Sequence, residues 1–434
     1  MIPQLMAPNS LVAITKEEAT WIASSATIGG FFATLLGGVL SDMYGRIRMG
    51  QLSFFTIAIG YATTAAASNF LMIIIGRVAI GFASGLIMQV IVYISETSPP
   101  KYRGLFMSLS PLFMSIGVLF MYIIGGFLPW KIAALIVCMI SILGFIPTLF
   151  YYESPQWLVL KGRISEAEKS LKRIEHPANV AARLKQIQDA KARNETQDGP
   201  ESDSKTVLAE IWTVWRQFLI VATLALLGTF SGYTIVFFYS GDFVTKLNTS
   251  FDPNILSIMI GVARVLGSVT TSYAFSRIGK RTVIGSISGI GSAAALFVCY
   301  GFLVLRPIYP FLDKGYSWIP GVSVVVFILF ATFGINTLPW ILPGEIFPLR
   351  IRGVMNGISF ACFNASTFSA LKSYNLIIDS LGISGTILLF AVTSTVFAIF
   401  CNTILVETHN RTLEEIIHDF SGPKKDLKEE KHPE

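Results

Sequence analysis

Apolar runs of about twenty residues recur along the whole chain, and they restrict its fold more than any other feature. A bilayer core about 30 Å thick needs about twenty residues of α-helix to cross it. Eleven such runs occur, at 19–40, 51–67, 70–93, 105–128, 132–150, 217–239, 255–275, 283–305, 321–342, 354–375 and 383–405. Because lipid offers no partners for unpaired backbone groups, the runs predict an all-α polytopic membrane protein.

The composition excludes several other classes. Only 14% of the 434 residues are charged, whereas soluble domains carry about 25%. The four cysteines lie in apolar runs and the four histidines are scattered through polar segments, so neither set has the spacing of a metal site. We therefore expect no enzyme activity, no cofactor and no metal. The net charge of +6 does not indicate binding to nucleic acid, because the positive charges lie in the connections between the apolar runs. We therefore expect no nucleic-acid partner.

Lysine and arginine are concentrated in alternate connections between the runs. The segment 153–216 holds eleven of them, whereas the connections 68–69 and 376–382 hold none. By the positive-inside rule, this pattern places the middle segment and the C-terminus in the cytoplasm and the N-terminus outside. We expect a multi-pass protein of the plasma membrane, with the lipid bilayer as a partner.

The same runs predict the division of the chain. The expected segments are an extracellular N-terminus (1–18), a bundle of five helices (19–152), a cytoplasmic helical linker (153–212), a bundle of six helices (213–405) and a cytoplasmic tail (406–434). Within the linker, Ser165 and Glu168 have the spacing of a capping box and predict the start of a helix.

Three charged motifs occur twice, in the same order. The segments 42–48, 96–104 and 152–158 correspond to 277–281, 345–353 and 406–412. Paired positions are 234, 249 and 254 residues apart, and each motif ends an apolar run on the cytoplasmic side. Two copies in the same orientation predict a parallel repeat, in which a solute binds between two bundles.

These motifs, with Arg77, Gly81, Gly85 and the pair Pro339-Trp340, resemble the sugar porter family of the major facilitator superfamily. The similarity is to the insect facilitated trehalose and glucose transporters. It implies that a monomer carries a small polar solute across the membrane by facilitative transport and alternating access. The solute, its small-molecule partner, is nominally a sugar, trehalose or a hexose. The family has twelve membrane helices, and here the first is missing, because Trp21 to Asp42 matches the second. We expect a truncated gene sequence rather than a degenerate member.

The resemblance also implies a role for the charged motifs as conformational latches. Such latches join helix ends of the two halves while the pathway faces outward, and exposed ion pairs of about 0–1 kcal/mol each suit that bistable role. The first latch comprises Asp42, Arg46, Glu96, Arg103 and Glu153, and the second Arg281, Glu345, Arg352, Glu407 and Arg411. The alternative is ordinary loop charge. Because Ser276 stands where the family has aspartate, we expect the second latch to be weaker.

The sugar-contacting positions of the family are largely replaced. Where its seventh helix carries two glutamines and an asparagine, this chain reads Gly-Thr-Phe-Ser-Gly-Tyr-Thr from Gly228 to Thr234. The expected substrate-binding residues are Thr229, Ser231, Thr234, Arg264, Asn336, Trp340 and Asn364. Sugar recognition depends on hydroxyl and amide hydrogen bonds. Two alternatives therefore stay open, a non-transporting membrane sensor or degenerate carrier, and a carrier for an anionic solute.

Arg264 is the reason for the anionic alternative. It lies nine residues into its apolar run, about 14 Å deep at 1.5 Å per residue. A charge there costs about 2.5–3.5 kcal/mol on insertion scales and normally faces a cavity or a partner. The charge is balanced either by a negative group of the solute or by hydrogen bonds to backbone carbonyls and water. On the outer side, Asn248 begins a glycosylation sequon.

Overall fold

The structure, a computed structural model, describes residues 1–7, 12–98, 100–197, 212–348, 351–409, 411 and 415. All regular elements in these residues are helices, as the apolar runs predict. The first group is α1 (Ile2–Leu5), α2 (Lys16–Tyr44), α3 (Arg46–Ala65), α4 (Phe70–Leu86), α5 (Met88–Thr97), α6 (Pro100–Phe127) and α7 (Trp130–Thr148). Helices α2 to α7 form the N-terminal bundle.

The remaining helices belong to a linker and a second bundle. The linker contains α8 (Pro155–Leu160), α9 (Ile164–Ile174) and α10 (Pro177–Gln197). The C-terminal bundle contains α11 (Trp215–Phe230), α12 (Tyr233–Phe238), α13 (Ser240–Leu247), α14 (Pro253–Arg277), α15 (Arg281–Leu305), α16 (Phe311–Gly315), α17 (Ile319–Phe333), α18 (Leu338–Ile346) and α19 (Arg352–Thr403).

Eight helical segments of the described chain are long and apolar enough to cross a membrane. One of them, α19, contains two predicted runs. A sharp turn at Gly382, where φ is 66°, separates these two runs. Two further runs fall on α3 and on the shorter apolar helix α11. All eleven predicted runs therefore lie on helices or on pairs of helices with a short break. The boundaries of the predicted domains remain predictions.

Glycines allow the helices of the N-terminal bundle to approach closely. A Cβ atom at Gly81 would overlap the carbonyl oxygen of Ala26, and one at Gly85 would lie 2.5 Å from the Cβ of Ala33. Small residues at such a spacing are typical of tight helix packing in membranes. The contact fixes α4 against α2.

The C-terminal bundle holds the main apolar core. Its largest fully buried side chains are aromatic and include Phe243, Phe327, Phe390, Phe397 and Tyr374. Helix α15 packs between α17 and α19. Here too a glycine permits the approach, because a Cβ at Gly289 would lie 2.7 Å from the Cβ of Ala398.

Two membrane helices of this bundle are broken near their middle. Gly232 separates α11 from α12 with a φ of 90°, and a Cβ there would overlap the ring of Phe390. A stretch of turns from 334 to 337 separates α17 from α18, just before Pro339. Pro339 has no backbone N–H to donate, which favours a break at this point. Broken helices leave backbone groups free where a cavity can use them.

The linker helices pack on the N-terminal bundle. The indole Nε1 of Trp157 donates to the carbonyl of Asp42 at 3.0 Å, and the Ser170 hydroxyl donates to the carbonyl of Glu153 at 2.8 Å. Helix α9 begins one residue before Ser165, with Arg163 at the N-cap position and no side-chain cap. The predicted capping box is therefore wrong.

Candidate functional site

The breaks in the two interrupted helices lie side by side. A Cβ at Gly228, near the end of α11, would lie 3.0 Å from the carbonyl oxygen of Ile335 in the break between α17 and α18. The segment carrying Thr229 thus lies beside the segment carrying Asn336. Asn336 is half-buried, and its backbone N–H donates to the carbonyl of Ala331 at 2.9 Å.

An aromatic group lies next to this break. The ring of Trp340, which is half-buried, has its centroid 5.1 Å from the centroids of both Phe360 and Phe363 on α19. Asn364 follows on the same helix. Its amide donates to the carbonyl of Phe360 at 2.9 Å, and its Oδ1 lies 2.7 Å from where a Cβ at Gly30 of α2 would stand. Asn364 therefore faces the N-terminal bundle.

Two of the expected binding residues are turned into their own helix. The hydroxyls of Thr229 and Ser231 donate to the carbonyls of Ala225 and Gly228, and neither side chain is exposed. Back-bonding of this kind is usual for Ser and Thr in helices. Thr234 is 6% exposed and lies in the first turn of α12. The role of these three residues in binding stays a prediction.

Arg264 is buried on α14 beside α12. Its guanidinium carbon lies 4.6 Å from the ring centroid of Phe237 and 5.5 Å from that of Tyr233. The expected residues therefore fall into two groups. Thr234 lies on α12 and Arg264 beside it, whereas Asn336, Trp340 and Asn364 lie around the α17–α18 break.

The charged motif residues of the N-terminal bundle form one cluster, which we name the N-terminal cluster (Asp42, Arg46, Glu96, Glu153 and Ser154). Arg46 lies 2.8 Å from the Asp42 carboxylate and 3.4 Å from that of Glu96, and the Ser154 hydroxyl donates to Glu96. Glu153 accepts from the backbone N–H groups of Arg46 and Ile47 at the start of α3. A carboxylate at a helix N-terminus is stabilised by those unpaired donors. The Arg103 side chain lies outside the described residues.

The C-terminal cluster (Arg281, Glu345, Glu407 and Thr408) repeats this plan. Arg281 donates to both oxygens of Glu345, at 2.7 and 3.1 Å, and the Thr408 hydroxyl donates to the same carboxylate. Glu407 accepts from the backbone N–H groups of Arg281 and Thr282 at the start of α15. Burial raises the pKa of Glu407, but these hydrogen bonds outweigh it, so its pKa lies below the ordinary carboxyl value.

The two remaining motif arginines of the second half lie at the edge of this cluster. The Nε of Arg352 donates to the carbonyl of Phe347 at 3.2 Å, in the turn before α19. The backbone N–H of Arg411 donates to the carbonyl of Thr408 at 3.4 Å. The Ser276 side chain lies outside the described residues.

Among the described residues, every ion pair of these two clusters lies within one bundle. The bundles instead contact each other at the end opposite the clusters. The Lys372 ammonium of α19 donates to the Thr20 hydroxyl at 3.0 Å and lies 4.1 Å from the ring centroid of Trp21 on α2. The role of the two clusters as latches between the bundles stays a prediction. Sequence reasoning missed Lys372, because no motif surrounds it.

A second line of contact joins the bundles along α6 and α14. The Tyr122 hydroxyl donates to the carbonyl of Phe237 at 2.8 Å. The hydroxyls of Ser115 and Ser268 lie 2.6 Å apart. Asn248 is exposed at the C-terminal end of α13 with a φ of 49°. Its glycosylation stays a prediction.

Comparison of the sequence with known proteins finds similarity to sugar transporters. The model of the family described as "Sugar (and other) transporter" matches residues 6–420. The chain is 28% identical to the facilitated trehalose transporter Tret1 of Bombyx mori over 422 residues, which cover 95% of this chain and 81% of that one. It is also 28% identical to the Tret1 protein of Apis mellifera ligustica, over 94% of this chain and 81% of that one.

Solved structures share the architecture at lower identity. The partially occluded, inward-open xylose transporter XylE from E. coli superposes with a TM-score of 0.75 at 18% identity, covering 95% of this chain and 94% of that one. The XylE proton:xylose symporter with bound 6-bromo-6-deoxy-D-glucose gives 0.72 at 18% identity, with coverages of 93% and 89%. Likeness at this identity concerns the fold alone.

Proposed function

The chain belongs to the sugar transporter family, and on that premise we propose that it carries a neutral sugar, a hexose or trehalose, down its gradient by alternating access. The predicted all-α major facilitator fold is confirmed by the superposition on XylE. The family membership favours a transporter over the non-transporting sensor or degenerate carrier and over the anionic carrier. The protein is not an enzyme.

The observation that supports this proposal is the aromatic and amide group at the α17–α18 break. Trp340, braced by two phenylalanine rings, offers a flat apolar face, and Asn364 offers an amide one turn beyond Phe360. Ligand sites combine apolar walls with a few placed polar groups, and the two faces of a sugar ring match that combination. Because Asn364 faces Gly30 of α2, a solute there would contact both bundles.

We propose facilitated diffusion rather than coupling to protons. Proton relays within membranes use carboxylates or histidines in the membrane segments. None of the eleven apolar runs contains Asp, Glu or His.

We also propose that the protein acts as a monomer in the plasma membrane with its C-terminus in the cytoplasm. The concentration of Lys and Arg in alternate connections supports this orientation. Protease protection of a C-terminal tag in sealed, right-side-out vesicles tests it. Digestion of the tag from outside would contradict it.

The test of the proposed function is uptake of labelled trehalose and glucose into proteoliposomes. We expect saturable uptake of at least one of them, which Trp340→Leu lowers by about tenfold, the usual scale for removing one good contact from a pocket. Trp318→Leu, at the exposed outer start of α17, is the matched control and should leave uptake unchanged. Absence of sugar uptake by folded protein, or equal loss in both variants, would contradict the proposal.

A further inference from the structure

Arg264 lies near the middle of the membrane helix α14 and contacts two aromatic rings. It is 4% exposed, and its Nε has no hydrogen-bond partner among the described residues. Its guanidinium carbon lies 4.6 Å from the ring centroid of Phe237 and 5.5 Å from that of Tyr233. Cation–π attraction is strongest where water is excluded, so these rings are the main described partners of the charge.

Both rings belong to α12, a short helix with a backbone break on each side. Gly232, in the left-handed region, precedes it, and Tyr239, with non-helical φ and ψ, separates it from α13. Tyr233 and Phe237 are four residues apart and therefore lie on the same face of α12. The guanidinium of Arg264 contacts the face of α12 that carries both rings.

The end of α12 is also a point where the two bundles meet. The Tyr122 hydroxyl on α6 donates to the carbonyl of Phe237. Gly261, three residues before Arg264 on α14, lies against the same part of α6, because a Cβ there would be 2.9 Å from Leu119. The contact with the N-terminal bundle and the contact with α12 thus come from neighbouring turns of α14.

We propose that Arg264 is a positioning residue that holds α12 against α6 and thereby keeps the outer end of the pathway closed. The guanidinium fixes the ring of Phe237, and the ring fixes the carbonyl that Tyr122 binds. Without the cation, α12 turns about Gly232 and the hydrogen bond from Tyr122 breaks. The line of contact between α6 and α14, which we call the seam, then opens. This role concerns closure and needs no solute, so it stands or falls separately from the proposed transport of sugar.

A cysteine in the seam measures this closure directly. Ser115 on α6 is 2% exposed, and its hydroxyl lies 2.6 Å from that of Ser268 across the seam. In Ser115→Cys protein in intact cells, a membrane-impermeant maleimide reaches the thiol from outside only when the seam opens. The labelling rate therefore reports the open fraction. Protein without this change gives the background from the four native cysteines.

We expect Arg264→Met to raise the labelling rate by about tenfold, the effect of losing a desolvated cation–π contact. Phe237→Leu should raise it similarly, and the double variant no further, because both changes break the same contact. Arg264→Lys keeps the cation and should restore most of the slow labelling. Arg306→Met is the matched control, because that arginine pairs with Asp313 within the C-terminal bundle at 2.5 Å.

Unchanged labelling in Arg264→Met would overturn the proposal. So would faster labelling in Arg264→Met without any increase in Phe237→Leu, since the arginine would then not act through the ring. A lower melting temperature with the same labelling rate would show a purely structural role. If Arg264→Met does not fold, the comparison of Arg264→Lys with Phe237→Leu decides the matter.

Discussion

In the N-terminal cluster Arg46 pairs with two carboxylates, whereas in the C-terminal cluster Arg281 makes both of its carboxylate contacts with Glu345. The arginine lies 3.4 Å from Glu96 in the first case and 2.7 Å from Glu345 in the second. The additional carboxylate of the N-terminal cluster, Asp42, has a side chain that is 74% exposed, so its share of the pairing is exchanged easily with water.

The two clusters of the repeat therefore share the same arrangement of charged residues but differ in the geometry of their ion pairs. The sequence predicts a weaker C-terminal cluster, because Ser276 replaces an aspartate. The geometry points the other way, since Arg281 makes a two-pronged contact with a single partner. Such bidentate contacts are stronger than single ones. The relative strength of the clusters stays a prediction, and four experiments would test the comparison.

Removing the carboxylate that binds the first N–H groups of α3 or of α15 should have the largest effect on stability. We expect Glu407→Ala and Glu153→Ala each to lower the free energy of unfolding by about 2–4 kcal/mol, because buried N–H groups lose charged acceptors. Glu407 should cost more, since it also accepts from the Thr282 hydroxyl at 2.7 Å. Thermal unfolding of purified protein measures this. The comparison fails if Glu153→Ala costs more.

The glycines before the two helices give the next largest effect. Gly45 and Gly279 have φ of 109° and 68°, and a Cβ would overlap Glu153 at the first and the His409 ring at the second. We expect each Gly→Ala change to cost about 1–3 kcal/mol of stability. Gly162→Ala is the matched control, because its φ is 75° with nothing within 4 Å. Equal losses at all three positions would mean that the clusters contribute no steric constraint.

Double-mutant cycles compare the ion pairs themselves. We expect a coupling energy of about 1–2 kcal/mol for Arg281→Gln with Glu345→Gln, and about 0.5 kcal/mol for Arg46→Gln with Glu96→Gln. The difference follows from the shorter, two-pronged contact of Arg281. A larger coupling in the N-terminal pair would reverse the comparison.

The smallest effect is on the pH dependence of the C-terminal cluster. Because the pKa of Glu407 is lowered in the folded protein, the ionised form stabilises the fold at pH above the ordinary carboxyl pKa. This contribution should be lost as the pH falls through the lowered pKa. Melting temperatures measured across acidic pH should show less pH dependence in Glu407→Gln than in the parent protein. Identical pH profiles would contradict the assignment.

The helices and the paired motifs could be predicted from sequence because both depend on local pattern. An apolar run of membrane length must be helical, and a repeated spacing must place equivalent residues at equivalent positions. These features need no knowledge of which helices touch.

The contacts between bundles could not be predicted in this way. The pairing of Lys372 with Trp21 joins residues far apart in the chain, and no periodicity relates them. The ring contacts of Arg264 come from α12, the short helix that follows the break at Gly232. For Thr229 and Ser231, the sequence identifies polar side chains. It does not show that their hydroxyls donate to backbone carbonyls of α11.

The packing of the linker on the N-terminal bundle has a consequence for the order of folding during synthesis. Trp157 and Ser170 bind Asp42 and Glu153, all of which leave the ribosome early. The N-terminal cluster can therefore be complete before any helix of the second bundle is made. The C-terminal cluster must wait for Glu407, at the end of the last membrane helix. A nascent chain stalled within the second bundle should already protect the linker from protease, with one half of the protein folded ahead of the other.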